Sequence, residues 1–346
     1  LDFCLLHNPE YFLLEAAQKG RSDLAAVRHE FYARVEQAFV FLESAVEQGR
    51  ISYYGVSSNS LSAPEDNPTA TSFAEFLRVA QKVGGDNHHF RMVQLPMNLV
   101  ECSAYPHLLR AAEDAQVGVV LNRPLNAFFK NNLVRLADFE LEEQEPQFVK
   151  NVAALAAIEN EFRATFGKNI QGEGTDQLFR FAENLRPLDG ALMNIEHWNQ
   201  LEMTRIRPTL QDQIGALDQA IQGPASVPWS QWREKFLAQF RECMNDLEQM
   251  ALEKSQELAD SVRETFIELV PERHKEATTS RLATWILAST PGVTSVLVGM
   301  RSQDYVEDIC EVLSWDRLPE VEKIYAATST WSLPGDSQGT AEENVA

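Results

Sequence analysis

Cysteine is scarce in this sequence, with four residues in 346, at Cys4, Cys102, Cys243 and Cys310. They lie far apart, and none forms a Cys-x-x-Cys pair or stands at a ligand spacing from a histidine. A disulfide framework and a zinc site are therefore not expected, and the pattern suits reduced, buried thiols in a cytosolic-type compartment. Basic residues are also few: 30 Lys and Arg stand against 51 Asp and Glu, a net charge of -21. Nonspecific binding to nucleic acid or to an anionic membrane needs a basic face, and this balance argues against one. It does not exclude an anionic cofactor, because a few Arg side chains and backbone N–H groups make a local positive site. No apolar run approaches the ~20 residues of a membrane span. No basic segment followed by an apolar one opens the chain as a secretory signal would. There is no internal repeat.

What is present is an alternation of short apolar runs and helical patterns. The run 1–6 ends at His7-Asn8-Pro9, and Phe31, Tyr32, Val35, Ala38, Phe39 and Leu42 then recur at helical spacing. That helix should stop at Gly49, as at a C′ glycine. A strand over 51–56 leads to Ser57-Ser58-Asn59-Ser60, a polar loop covers 62–71, and a helix covers 73–83. Strand 92–95, helix 107–115 and strand 117–121 follow, the last running into Asn122-Arg123-Pro124-Leu125. Strands separated by helices at this spacing indicate βαβ units and a parallel sheet. From about 131 to 276 the pattern changes to acidic, helix-like sequence, with one or two long amphipathic helices over 232–269. The strand–helix pattern then resumes with helix 280–288, strand 293–298 and helix 303–313.

In a parallel α/β barrel the active site forms where strands end and βα loops begin. Polar residues fall at that position after every expected strand: His7 and Asn8; Ser57, Ser58 and Asn59; Asn98, with Gln94 just inside; Asn122 and Arg123; Arg301 and Ser302. A single one would most simply be a helix cap or turn former. Five in succession make a polar-lined mouth the better explanation. Gly172-Glu173-Gly174 follows no strand and is better explained as a linker than as a phosphate loop. His88 and His89 lack nearby ligands, so a metal is not expected there.

At these residues the sequence resembles the aldo/keto reductases. Leu5-Leu6-His7-Asn8-Pro9-Glu10 is similar to that family's strand ending in the active-site histidine. Gly49-Arg50-Ile51 through Gly55-Val56-Ser57-Ser58-Asn59 looks like its glycine, basic residue, strand and G-V-S-N block. Val93-Gln94 with Pro96-Met97-Asn98, Arg123-Pro124-Leu125, and Pro291-Gly292 through Gly299-Met300-Arg301-Ser302 continue the resemblance in family order. It covers roughly the first 130 and the last 60 residues.

The resemblance implies an α/β fold, a partial TIM (β/α)8 barrel of about the last five strands. Barrel parts at 1–130 and 277–330 would flank a helical insertion at 131–276, and a disordered tail would cover 331–346. It implies NAD(P)H-dependent hydride transfer between NADP(H), with NAD(H) as the other candidate, and a small aldehyde, ketone or sugar. His7 would orient the substrate carbonyl. Ser57, Ser58 and Gln94 would hold the nicotinamide carboxamide, and Asn122 and Arg123 would stand at the nicotinamide platform or the pyrophosphate. Gly299, Arg301 and Ser302 would hold the adenosine phosphate end, with Tyr305 and Asp308 near the adenine. A guanidinium at Arg301 favours a 2′-phosphate and hence NADP(H).

Two departures qualify the match. The family's tyrosine acid, with its lysine and aspartate, has no counterpart in a matching context, and Tyr11 and Lys130 stand elsewhere. Leu1 opens the chain inside an apolar run, so the expectation is a fragment, inactive alone, of a cytoplasmic reductase. The alternative is a noncatalytic relative that binds cofactor, or a protein partner through the insertion.

Overall fold

The computed structural model describes residues 1–130, 132–167 and 178–334. The expected linker at Gly172-Glu173-Gly174, and the tail beyond 334, lie outside these residues. The elements run β1 (Phe3–His7), α1 (Tyr11–Gln18), α2 (Leu24–Glu47), β2 (Tyr53–Ser57), α3 (Phe73–Gly84), β3 (Phe90–Pro96), α4 (His107–Asp114) and β4 (Gly118–Asn122). Two four-residue strands, β5 (Asn126–Phe129) and β6 (Asn132–Arg135), precede six helices: α5 (Phe148–Phe166), α6 (Phe181–Leu185), α7 (Leu188–Ala191), α8 (Ile195–Leu201), α9 (Arg207–Ala220) and α10 (Ser226–Phe266). The chain closes with α11 (Thr279–Ser289), β7 (Val293–Val296), α12 (Gln303–Cys310) and α13 (Val321–Thr328). No helix among the described residues is long and apolar enough to cross a membrane.

Two compact units form. One comprises Leu1–Asn131, Arg135–Ala137 and Asp260–Ala346, and the other Asn132–Val134 and Asp138–Ala259. The first resumes at Asp260, not at 277. The physical reason lies in the last turns of α10, where Arg263 donates to Thr279 Oγ1 at 3.0 Å and Ser261 accepts from the Trp331 indole at 3.0 Å. An unbroken helical period hides such a boundary.

In the first unit, α2 begins at an Asp23 cap, whose carboxylate accepts from the Ala26 N–H at 3.0 Å, and ends before Gly49, at φ +67°. Such an αL glycine is the usual C′ terminator. Its apolar stripe, Val27, Phe31, Val35, Phe39 and Leu42, is buried. Ring contacts join Phe39 to Tyr54 of β2 at 5.0 Å and to Phe90 of β3 at 5.5 Å. The helix therefore packs on β2 and β3, on one face of a five-stranded sheet ordered β1-β2-β3-β4-β7, parallel at every pairing. On that face Tyr54, Val56, Val93, Leu95, Val119 and Leu121 are fully buried. On the other face Leu5, Met92 and Gln94 are only half-buried.

Two irregularities set the register. Between Tyr54 and Gly55 the partner jumps from Phe90 to Met92, a bulge that leaves Arg91 unpaired. It presses the Met92 carbonyl against β2, where a Cβ on Gly55 would lie 2.0 Å from that oxygen. Only glycine fits. Between Val119 and Val120 the partner jumps from Val293 to Ser295. The hydroxyl of the skipped Thr294 accepts the Val119 N–H at 3.0 Å, which satisfies the donor the bulge would strand.

The helical unit is packed by aromatics. Trp229, Trp232, Phe236 and Phe240 recur along α10 and stack at 5.4, 5.0 and 5.8 Å. Phe179 contacts Phe162, Trp232 and Phe236 within 4.9 Å. Beside them Glu159 is 2% exposed and accepts the Ala182 N–H at 3.1 Å. Burial lifts its carboxyl from 4.5 to about 7.

Gly55→Ala should lower stability by about 3 kcal/mol, because a backbone oxygen cannot yield as a side chain can. Gly118→Ala, facing the Thr294 hydroxyl at 3.2 Å, should lose under about 1 kcal/mol. Denaturant midpoints compare the two, and equal losses would contradict the bulge argument. A carboxyl raised in the fold contributes stability that is complete below its unfolded value and lost as pH rises through the folded one. Glu159→Gln should therefore stabilise the chain at pH 8 and lose that gain by pH 4.5. A gain constant with pH would mean that Glu159 titrates in the fold as it does in the unfolded chain.

Candidate functional site

Parallel pairing puts the C-terminal ends of the five strands along one edge, and residues paired in register share a face. His7 pairs with Ser57, Ser57 with Gln94, and Gln94 with Val120. Asn122, two residues beyond Val120, pairs with Pro96 and lies on the same face. At a strand spacing of about 4.8 Å, the row from His7 to Gln94 spans roughly 10 Å.

These four side chains share a second property. No side-chain hydrogen bond ties His7, Ser57 or Gln94 to another described residue. Asn122 Oδ1 is buried and has no partner. His7 is exposed, Gln94 and Asn122 are half-buried, and Ser57 is 3% exposed. Buried polar groups are nearly always hydrogen-bonded, so the unpartnered Asn122 Oδ1 marks a place where another molecule can complete it, beside side chains whose own polar groups are not engaged elsewhere.

Most of the other expected residues are already engaged. Ser58 bonds Thr71 Oγ1 at 2.9 Å inside the loop after β2. Asn98 is fully buried: it accepts the N–H groups of Val100 and Glu101 and donates to Glu101 Oε2 at 2.9 Å. Arg123, at φ +53°, donates to Glu101 Oε1 at 3.3 Å and lies 4.9 Å from the Phe128 ring. Its guanidinium is thus held within the loops after β3 and β4, although its buried Nε lacks a partner. Asp308 is bound to Arg281 at 2.7 Å and accepts from Thr278 and Ser280, bracing α11 against α12. Ser302 caps α12 by accepting from the Tyr305 N–H at 3.3 Å.

After β7 the picture differs. Gly299 is open, with no atom within 4 Å of where a Cβ would stand. Arg301 is exposed, with no side-chain partner among the described residues. Tyr305 is 56% exposed.

One residue at this edge escaped the sequence analysis. Glu10, 5% exposed, follows β1, and its Oε1 accepts both the Asn59 N–H at 2.8 Å and the Asn59 amide at 3.2 Å. Asn59 also donates to Asn8 Oδ1 at 3.2 Å. The carboxylate clamps the loops that follow β1 and β2, on either side of His7 and Ser57, while its buried Oε2 has no partner. The acid closing the His7-Asn8-Pro9-Glu10 block was the available signal.

Gln94 and Asn122 together offer amide donors and acceptors at this edge, and Ser57 adds a hydroxyl, the set that a carboxamide such as that of a nicotinamide would need. Asn122 cannot stack on the ring as an aromatic would. No group of three or more His, Cys, Asp or Glu suited to a metal occurs among the described residues. His88 and His89 instead contact Arg91 and Glu43, at 3.2 and 2.7 Å. No protein-family model matches the chain, and no significant match to a curated protein was found.

Glu10→Ala should destabilise the protein by about 1–3 kcal/mol by stranding the Asn59 N–H, whereas Glu10→Gln, which keeps an acceptor, should lose less than about 1 kcal/mol. Chemical denaturation distinguishes them. Equal effects would mean that packing volume, not the clamp, is what Glu10 supplies.

Proposed function

We propose that this chain is a nicotinamide-cofactor-binding protein of the aldo/keto reductase type, with NADP(H) as its cofactor. The carrying observation is the unengaged row His7, Ser57 and Gln94, with Asn122 on the same face, at the C-terminal edge of a parallel sheet. The strand order supports a barrel segment: five parallel strands follow one another without reversal, as in a singly wound barrel and unlike a doubly wound sheet. The bound cofactor would supply or accept a hydride. Ser57, Gln94 and Asn122 would fix the carboxamide and so the ring face presented. His7 would donate a hydrogen bond to a small aldehyde, ketone or sugar carbonyl. Arg301, with Gly299 and the Ser302 hydroxyl, would hold the adenosine phosphate end.

A second reading is favoured by one specific observation. Proton donation by a group within hydrogen-bond reach is half of carbonyl reduction. Tyr11, the tyrosine that follows the His7 block, begins α1 and is 60% exposed. Among the described residues no hydrogen bond joins its hydroxyl to a lysine or an aspartate. Under this reading the 346 residues bind cofactor, or a protein partner through the helical unit, without turnover.

Arg301→Ala separates cofactor choice from fold. A charge-assisted, bidentate contact to a 2′-phosphate typically contributes ~1.5–3 kcal/mol, or roughly ten- to a hundredfold in affinity. The variant should weaken NADPH by that factor and leave NADH nearly unchanged, as read by titrating the fluorescence of each cofactor. Equal losses would place Arg301 at the pyrophosphate. No loss for either would remove it from the site.

A further inference from the structure

Within the helical unit of this acidic chain, three arginines line one cavity. Its volume is about 420 Å³, and its charged or polar lining is Glu159, Asn160 and Arg163 of α5 with Arg180, Glu183 and Arg186 at α6. That size lies within the range of small-molecule sites, roughly 300–1,000 Å³. Arg180 is paired with Glu183 at 3.2 Å. Arg163 donates to Asn160 Oδ1 at 2.8 Å and to the Phe179 carbonyl at 3.2 Å, leaving other donors of its five-hydrogen fork. Arg186 is exposed and makes no side-chain hydrogen bond or ion pair among the described residues. Glu159, 2% exposed, is turned to the Ala182 N–H. With Arg180 balanced by Glu183, the cavity keeps an excess of positive charge in a chain whose net charge is -21.

We propose that this cavity binds the phosphoryl group of a small phosphorylated anion. A carboxylate presents two oxygens and is satisfied by one fork, whereas a phosphoryl group presents three and engages two guanidiniums at once. Arg163 and Arg186 are the two with donors to give. The cavity exceeds what a bare phosphate fills, so the group comes attached to a small organic body. The site is separate from the strand edge that carries His7 and does not depend on the cofactor reading.

Calorimetric titration of the full chain tests this, with glycerol 3-phosphate, inorganic phosphate and sulfate as probes and sodium chloride at matched ionic strength as the control. Saturable binding of glycerol 3-phosphate is expected, several-fold tighter than that of inorganic phosphate. Equal affinities would identify the free anion as the occupant of the same cavity. Arg163→Gln with Arg186→Gln should weaken binding at least about tenfold. Arg186→Gln alone, at an exposed and unpartnered side chain, should still weaken it severalfold if the double variant does not fold. Arg301→Ala should leave this binding in place, which separates it from the adenosine phosphate contact.

Sulfate adds a pH arm, because its charge is constant between pH 6 and 8. Glu159 faces Arg163 on its own helix, Glu183 on α6 and the Cys243 thiol on α10. As it ionises near 7 it opposes the anion, so sulfate should bind more tightly at pH 6 than at pH 8, and Glu159→Gln should flatten that dependence. Heats matched by chloride, or full affinity in Arg186→Gln and in the double variant, would overturn the proposal.

Discussion

Parallel pairing of β1, β2, β3, β4 and β7 in sequence order is the constraint on which the candidate site rests. It sends every strand end to one edge, and because side chains alternate, in-register neighbours fall on a common face. His7, Ser57 and Gln94, 50 and 37 residues apart in the chain, become successive members of one row in this way. A one-residue slip of any strand would turn its polar end toward the helices and scatter the row. The bulges at Gly55 and Thr294 therefore help set the row although neither lies in it. They determine which residue of β3 meets Ser57 and which of β7 meets Val120.

Much of this architecture was legible in the sequence, and the failures have physical causes. The stripe through Phe31, Val35, Phe39 and Leu42 and the stop at Gly49 predicted α2, because helix period and an αL terminator are local signals. Continuous apolar runs predicted five parallel strands to within two residues at their ends. By contrast, α1 starts at Tyr11 without a side-chain cap, and β5 and β6 are only four residues long, too short for a period to register. The bulges were invisible because they answer to a neighbouring backbone. Whether a parallel sheet belongs to a barrel is decided by closure, which no local pattern encodes.

At this edge, the sequence placed polar residues at the strand ends but could not sort engaged residues from free ones. Arg123 is held by Glu101, 22 residues away, and Asp308 by Arg281, 27 residues away. Asn98 closes a loop rather than opening to a ligand. Those partners are set by tertiary structure, so the same residue types can serve as brace or as ligand contact. Charge follows the same logic. A chain with net charge -21 can still present local cations, and Arg301, like Arg186, has no side-chain partner among the described residues. The separation of a clamped rim, Glu10 with Asn59, from an unengaged row is what a preorganised binding edge requires.

The central claim is that a nicotinamide rests on the row containing Gln94 and Asn122. Its most direct test is the side-chain amide resonances of these two residues, followed by nitrogen-edited NMR during titration with NADP⁺ and, separately, with adenosine 2′,5′-bisphosphate, which lacks the nicotinamide half. The account predicts that both amides shift with NADP⁺ and stay in place with the bisphosphate, while backbone signals near Arg301 respond to both. Saturating NADP⁺ that moves the Arg301 region and leaves Gln94 and Asn122 unmoved would contradict it.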